Sequence, residues 1–120
     1  MVVEDDIVII LDELADNNSL FVVEGIKDKK ALARLGIFNV ITLGKKPLYA
    51  VVEEIAQKVK EVVLLVDLDP EGKKIYSVLK KDLQKNGIKV DDRIRALLFK
   101  TPIRHIEGLD TYIEHSTNNN

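Results

Sequence analysis

The sequence contains no cysteine and no tryptophan, and the absence of cysteine excludes several kinds of chemistry at once. Disulfide bonds, zinc sites built from thiolates and a cysteine nucleophile are ruled out, and a reducing cytoplasm is a compatible setting. No apolar stretch approaches the length of a membrane span. Residues 1–20 carry acids but no basic n-region, so we do not expect a secretory signal. We therefore predict a cytoplasmic protein with no membrane segment.

Several catalytic motifs are also missing from the sequence. It contains neither Gly-x-Gly-x-x-Gly nor a P-loop. None of its serines has a histidine placed to activate it as a nucleophile. His105 and His115 each lack a second ligand at a spacing that suits zinc, so we expect neither to be a zinc ligand.

The charge of the chain is informative in its distribution and not in its total. The 120 residues suffice for one domain with its own core, and the net charge is only −2. Residues 73–104 are rich in lysine and arginine, whereas residues 1–16 are acidic. A basic half of this kind can bind phosphates. It is also typical of a solvated helix face, and charge alone does not separate the two.

Short apolar runs alternate with helical patterns along the chain, which predicts an α/β fold with a parallel sheet. The predicted strands are Leu20–Val23, Phe38–Leu43, Val62–Val66 and a fourth within Ile94–Phe99. The predicted helices cover residues 2–16, 28–36, 47–58, 70–86 and 109–115. The second of these has its N-cap at Asp28 and a Schellman stop at Gly36. We divide the chain into an N-terminal amphipathic helix and loop (1–19), one compact domain (20–115) and a disordered tail (116–120).

The stretch Glu61–Gly72 carries the strongest functional signal. Its apolar run, Val62–Val66, is typical of a strand buried on both faces, and Asp67 and Asp69 follow where that strand leaves the sheet. Open α/β sheets bind ligands at this edge. Two carboxylates in one crevice are costly unless a cation shares it, so the sequence predicts a magnesium site.

A third acid lies in a similar position on the first predicted strand. Glu24 ends that strand, and Gly25 after it lets a backbone or a phosphate come close. The carboxyl ends of parallel strands share one edge of the sheet. Glu24 therefore converges with Asp67 and Asp69 if the first and third strands are neighbours.

Some of these residues have a structural alternative. Asp69 also fits a plain helix N-cap, with Pro70 at the first helical position. Lys45 and Lys46, in the turn after the second predicted strand, either clamp a phosphate or are exposed loop lysines. The sequence leaves both alternatives open.

Two motifs resemble those of the Toprim domain, the metal-binding module shared by topoisomerases, bacterial-type primases, ribosomal-RNA maturation nucleases and overcoming-lysogenisation-defect nucleases. The first motif is Val23-Glu24-Gly25-Ile26-Lys27-Asp28. The second is Val66-Asp67-Leu68-Asp69-Pro70-Glu71-Gly72. Their order, spacing and strand context agree with that family over residues 20–115. The resemblance implies a Rossmann-like Toprim fold, with a four-stranded parallel sheet flanked by helices.

Within the Toprim family, several details favour the branch of primases and maturation nucleases. Asp28, four residues after the glutamate, matches that branch. The segment 72–75, Gly-Lys-Lys-Ile, resembles the glycine-led helix start of the maturation nucleases. The segment 107–110 resembles the primase sequence Gly-x-Asp-Pro-Asp, although the two residues that follow Asp110 differ from it.

The resemblance and the charge pattern assign roles to individual residues. Glu24 is expected to act as general acid/base or metal ligand, and Asp67 and Asp69 to hold one or two Mg²⁺ ions, with Mn²⁺ as an alternative. The residues expected to support the site are Gly25, Asp28, Gly72 and Asp110. The residues expected to contact substrate phosphates are Lys27, Lys45, Lys46, Lys73 and Lys74.

The resulting prediction is a small Toprim protein that performs Mg-dependent phosphodiester chemistry on RNA or DNA. Phosphoryl transfer depends on positioning and charge neutralisation, which metal ions supply. A nuclease is favoured over a primase-like enzyme, because the chain is short for template, primer and nucleotide sites together. The alternative is a weakly active or non-catalytic module that binds nucleic acid, or a larger processing complex, through the basic helix Lys73–Lys85. A small-molecule phosphatase or phospho-acceptor fits less well, since Asp-x-Asp follows the third predicted strand and precedes Pro70.

Overall fold

A computed structural model of the chain, which describes residues 2–117 and the side chains of residues 2–115, contains one sheet with helices on both faces. Within these residues the helices are α1 (Val3–Asp16), α2 (Ile26–Arg34), α3 (Leu48–Lys58), α4 (Pro70–Lys85), α5 (Arg93–Leu98) and α6 (Leu109–Thr117). A turn of 3-10 helix at Ile106–Gly108 precedes α6. The strands are β1 (Phe21–Val23), β2 (Val40–Thr42), β3 (Glu61–Leu64) and β4 (Lys89–Asp91). None of the helices in the described part of the chain is long and apolar enough to cross a bilayer.

The four strands are parallel and lie in the order β2-β1-β3-β4. The predicted α/β architecture is therefore confirmed. The order also fulfils the condition on which the site depends, because β1 and β3 are direct neighbours, with Phe21 opposite Val63 and Val22 opposite Leu64.

Each face of the sheet has its own hydrophobic core. Successive side chains of a strand point to opposite faces. Phe21 and Val23 accordingly lie in one core and Val22 in the other. Helices α1, α2, α5 and α6 contribute to the first core, and α3 and α4 to the second. The N-terminal helix thus packs on the same sheet as the rest of the chain, through Ile7 and Leu11 among others.

The prediction of a fourth strand within Ile94–Phe99 is wrong. That strand lies earlier, at Lys89–Asp91, and the later segment forms helix α5. Ile94 and Leu98, four residues apart, are both buried against the core. A short apolar run does not by itself distinguish a strand from a buried helix, and this one has only one β-branched residue among good helix formers.

The start of α2 also differs from the prediction, which placed the N-cap at Asp28. Gly25 occupies that position, and Asp28 is the third helical residue. The Asp28 carboxylate accepts a hydrogen bond from the main-chain N–H of Gly25 at 3.0 Å. This is the reciprocal half of a capping box, which ties the carboxylate back to the residue that begins the helix.

The other boundaries differ from the predictions by a few residues. Phe38 precedes β2 and is 75% exposed, so it does not belong to the strand. Pro47 is the N-cap of α3 and not its first residue. The Schellman stop at Gly36 is confirmed, with a φ of 83° and a hydrogen bond from the N–H of Ile37 to the carbonyl of Leu32. Helix α6 continues to Thr117, and residues 118–120 of the predicted disordered tail lie outside the described residues.

Candidate metal centre

The turns that follow β1 and β3 meet at the C-terminal edge of the sheet. The Glu24 carboxylate accepts a hydrogen bond from the main-chain N–H of Asp67 at 2.8 Å. The two turns therefore meet as predicted, but the Glu24 carboxylate contacts the main chain of Asp67, and Glu24 is not part of the group of side chains whose ligand atoms lie close together.

The pKa of Glu24 is raised above its ordinary value. Burial of the half-buried carboxyl is the main cause, and the negative charges of Asp67, Asp69 and Asp28 add to it. The hydrogen bond from the N–H of Asp67 offsets part of this effect. A raised pKa shifts a carboxyl group toward the range in which it can act as a general acid or base.

The two aspartates of the Asp-x-Asp turn are each oriented by the main chain. Oδ1 of Asp67 accepts a hydrogen bond from the N–H of Ile106 at 2.8 Å. Oδ1 of Asp69 accepts one from the N–H of Gly72 at 2.7 Å, so Asp69 is the N-cap of α4. In both residues it is the other oxygen, Oδ2, that faces the imidazole of His105.

His105 is a residue of the site that the sequence analysis did not predict. Its Nδ1 lies 3.5 Å from Oδ2 of Asp67 and 3.8 Å from Oδ2 of Asp69. Ligand atoms of these three residues all lie within 4.8 Å of one another. Spacing along the sequence was the wrong criterion, because the two partners are more than thirty residues away and no local pattern marks the loop that carries His105.

Gly72 allows the first turn of α4 to lie against the Asp-x-Asp turn. A Cβ atom at Gly72 would lie 2.1 Å from the carbonyl oxygen of Asp67 and 2.5 Å from its carbonyl carbon. Any side chain would push the helix away from the turn. The predicted supporting role of this glycine therefore has a steric basis.

Arg95 binds the main chain that follows β3 and leads into the Asp-x-Asp turn. Its side chain is only 4% exposed, and it donates hydrogen bonds to the carbonyls of Val66 at 3.2 Å and Asp67 at 3.0 Å. The guanidinium lies between two rings, 4.1 Å from the centroid of Tyr76 and 5.2 Å from that of Phe99. The erroneous strand prediction for this segment concealed the role, since a strand gives no reason for a buried arginine.

Asp28 supports the turn that carries Glu24. It is 7% exposed, and burial raises its pKa, with a further contribution from the charge of Asp67. The main-chain N–H of Gly25 and a hydrogen bond from the main chain of Glu107 act in the opposite direction. Asp28 thus links the start of α2 to the 3-10 helix.

Asp110 forms an ion pair with Arg34 and does not contact the other predicted acids of the site. Its Oδ2 accepts a hydrogen bond from Nε of Arg34 at 2.5 Å, at the far end of α2 from Asp28. Oδ1 is buried and has no hydrogen-bond partner among the described residues. Asp110 is not part of the group formed by Asp67, Asp69 and His105.

The predicted phosphate-binding lysines are exposed around this edge. The N–H of Gly44 donates to the carbonyl of Glu24 at 3.0 Å, which places the turn with Lys45 and Lys46 beside the Glu24 turn. Nζ of Lys46 lies 3.5 Å from a carboxylate oxygen of Glu54. On α4, Nζ of Lys73 lies 5.6 Å from the centroid of the Phe99 ring. The remaining two lysines, Lys27 and Lys74, are exposed in the first turns of α2 and α4.

A model of the Toprim domain family matches residues 19–97, which is most of the chain. The chain belongs to the Toprim domain family. The matched range contains both Toprim motifs and Arg95 but ends before His105 and Asp110.

Individual relatives of this Toprim protein match a similar extent of the chain. A UPF0292 protein of Methanocaldococcus jannaschii is 36% identical over 97 residues, covering 77% of this chain and 76% of the relative. A UPF0292 protein of Pyrococcus abyssi is 35% identical over 102 residues, covering 84% and 76%. A solved structure of a protein from Aquifex aeolicus has a TM-score of 0.77 and 37% identity, covering 86% of this chain and 94% of that one. These names state no activity, so the comparisons establish the family and not a branch within it.

The donor set fits the divalent metal that Toprim domains bind through acidic residues. Two carboxylate oxygens and one imidazole nitrogen converge, and both carboxylates are held by main-chain N–H groups through their second oxygen. Such outer hydrogen bonds fix the direction of a ligand and strengthen its hold on a metal. The residues present can therefore hold a divalent ion.

Proposed function

We propose that this Toprim protein is a metal-dependent nuclease that cleaves phosphodiester bonds of RNA or DNA in the cytoplasm. The observation that carries the proposal is the contact between Glu24 and the Asp67 main chain, since it places a carboxyl group with a raised pKa beside Asp67 and Asp69. The position of Asp28 favours the branch of primases and maturation nucleases, and the glycine-led start of α4 resembles the maturation nucleases within it.

Metal binding, proton transfer and positioning of the turns are performed by different residues of the site. Asp67 and Asp69 hold the divalent ion, which when bound supplies positive charge that neutralises a phosphate and polarises its P–O bonds. Glu24, whose pKa is raised, takes a proton from the attacking hydroxyl or returns one to the leaving oxygen. Asp28 and Arg95 fix the positions of the two turns, because each is buried and hydrogen-bonded to main-chain atoms of one turn.

The lysines around the edge supply charge for a polyanionic substrate. Lys45 lies in the turn beside the Glu24 turn, and the N–H of Lys73 donates to the carbonyl of Asp69, so each lysine follows one of the two turns that form the site. Contacts of this kind neutralise phosphates without reading sequence.

The test is an assay with structured and single-stranded RNA and DNA, with Mg²⁺ or Mn²⁺, on wild type and on Glu24→Gln. We expect wild type to cleave at least one substrate and Glu24→Gln to lose cleavage while it still binds that substrate. The matched control is Glu53→Gln, an exposed glutamate of α3, which should cleave as wild type does. Equal cleavage by Glu24→Gln and wild type would remove the catalytic role of Glu24.

A second candidate function is a non-catalytic module that binds nucleic acid or a larger processing complex. One observation favours it: the exposed Lys74, Lys81 and Lys85 are spaced at seven and four residues and so lie on one face of α4. This reading predicts binding that falls steeply with salt, is lost in Lys81→Glu, and is unchanged by Asp67→Asn or by removal of divalent ions.

A further inference from the structure

His105 lies at the metal centre although its segment is outside the range matched by the Toprim family model. Its side chain is 57% exposed, so burial does not explain why the imidazole lies where it does. Nδ1, and not Nε2, is the atom nearest to both aspartates. The position therefore calls for an explanation other than core packing.

The main chain on both sides of His105 is bonded to the Asp-x-Asp turn. The carbonyl of Arg104 accepts a hydrogen bond from the N–H of Leu68 at 2.8 Å. The N–H of Ile106 donates to Oδ1 of Asp67, also at 2.8 Å. Because the residues before and after it are both bonded to the turn, the main chain holds His105 beside the two aspartates.

The imidazole lies close to both carboxylates but makes at most one long hydrogen bond to them. Nδ1 is 3.5 Å and 3.8 Å from the two Oδ2 atoms, whereas a good N–H···O bond spans about 2.7–3.2 Å. Two donors each about 2.1 Å from one octahedral ion are about 3.0 Å apart when adjacent and about 4.2 Å apart when opposite. The two observed separations are longer than good hydrogen bonds, and they would have to shorten by about 0.5 Å and about 0.8 Å for His105 to occupy a position adjacent to both aspartates on one ion.

The imidazole changes which ion the site prefers. Mg²⁺ takes oxygen ligands and dehydrates reluctantly, whereas imidazole nitrogen favours first-row transition ions. We infer that His105 is a protein ligand of the ion, and that the site takes Mn²⁺ or another first-row transition ion in preference to Mg²⁺. The inference rests on the metal site of the proposed function but not on cleavage of nucleic acid.

The test compares affinities for two ions in the absence of nucleic acid. Free Mn²⁺ is titrated by electron paramagnetic resonance, and Mg²⁺ is measured by displacement of Mn²⁺, for wild type, His105→Ala and His115→Ala. His115, on α6, is the only other histidine of the sequence and serves as the matched control. We expect His105→Ala to weaken Mn²⁺ binding about tenfold or more and Mg²⁺ binding much less, and His115→Ala to change neither.

A second measurement detects the coordinated imidazole directly. With Co²⁺ bound, a ligating imidazole gives a paramagnetically shifted ring C–H signal that does not exchange with solvent, and we expect this signal in wild type and in His115→Ala but not in His105→Ala. Absence of the signal, or a ratio of Mn²⁺ to Mg²⁺ affinity that His105→Ala changes by less than about twofold, would overturn the inference. Failure of the protein to cleave nucleic acid while the His105-dependent preference persists would overturn the proposed nuclease and leave the inference standing.

Discussion

The Glu24 carboxylate accepts a hydrogen bond from the main-chain N–H of Asp67 at 2.8 Å, across 43 residues of sequence. This bond joins the turn after β1 to the turn after β3, and it brings a third carboxyl group next to Asp67 and Asp69. The arrangement is unfavourable in the absence of a cation, because burial and neighbouring charge both oppose ionisation of Glu24. A bound divalent ion would relieve that cost.

The first prediction concerns stability and pH. Since the pKa of Glu24 is raised above 4.5 in the folded protein, the folded state holds this proton more tightly than the unfolded state. The stabilisation is fully present below pH 4.5 and is lost as the pH rises through the folded value. We therefore expect Glu24→Gln to gain stability relative to wild type between pH 4.5 and neutral pH, measured by urea unfolding without divalent ions. An exposed control, Glu53→Gln, should show a flat difference, and a flat difference for Glu24→Gln as well would contradict the prediction.

The second prediction separates the two roles of Asp69. Without metal, Asp69→Ala should lose about 1 kcal/mol because it removes the N-cap of α4, whereas Asp69→Asn keeps an acceptor oxygen for Gly72 and should stay near wild type. An ion at about 100 times its Kd should stabilise wild type by about 2.7 kcal/mol and neither variant by a comparable amount. Thermal unfolding with EDTA or with Mn²⁺ measures both effects. A metal-dependent shift of Asp69→Asn equal to that of wild type would show that Asp69 caps the helix but holds no ion.

The third prediction tests the close approach of α4 to the Asp-x-Asp turn. Gly72→Ala should destabilise the protein by about 1–3 kcal/mol, because the new Cβ would lie 2.1 Å from the Asp67 carbonyl oxygen. Gly108→Ala is the matched control, since its Cβ would be 3.7 Å from Ile103 in ordinary contact, and it should change stability by less than about 0.5 kcal/mol. Urea midpoints at constant slope decide the comparison. Equal midpoints for the two variants would mean that the turn can move away without cost.

The fourth prediction concerns the buried arginine. Arg95→Ala leaves the Val66 and Asp67 carbonyls without their donor and removes the stacking on Tyr76, so we expect a loss of about 3 kcal/mol. Arg95→Lys should lose part of this, because an ammonium group lacks the planar fork that reaches two carbonyls at once. Metal affinity should fall in parallel, since the carbonyl of Asp67 is one of the two that Arg95 holds.

The exposed Lys100 is the control for the Arg95 variants. Lys100→Ala should stay within about 0.5 kcal/mol of wild type in unfolding and leave metal affinity unchanged. If Arg95→Ala unfolds at the same urea concentration as Lys100→Ala, the hydrogen bonds to the strand exit contribute little to stability.

Local sequence patterns were sufficient for much of the fold. The five-residue apolar run before Asp67 predicted a buried strand, and Asp69-Pro70 predicted the start of α4, because caps and periodicity depend on residues within one turn of each other. The same local reasoning placed the fourth strand wrongly at Ile94–Phe99. A six-residue segment carries too little periodicity to separate a helix from a strand, and packing of Ile94 and Leu98 on the core decided it.

What the sequence determined by itself is the set of acids that end β1 and β3, since their identity and position follow from the chain alone. Only the tertiary structure decided that these strands are neighbours and that His105 faces both aspartates. The same is true of the hydrogen bond from Arg95 to the carbonyl of Asp67. The physical reason is that all three relationships join residues far apart in sequence. Such contacts depend on how the helices and strands pack, and no spacing along the chain encodes them.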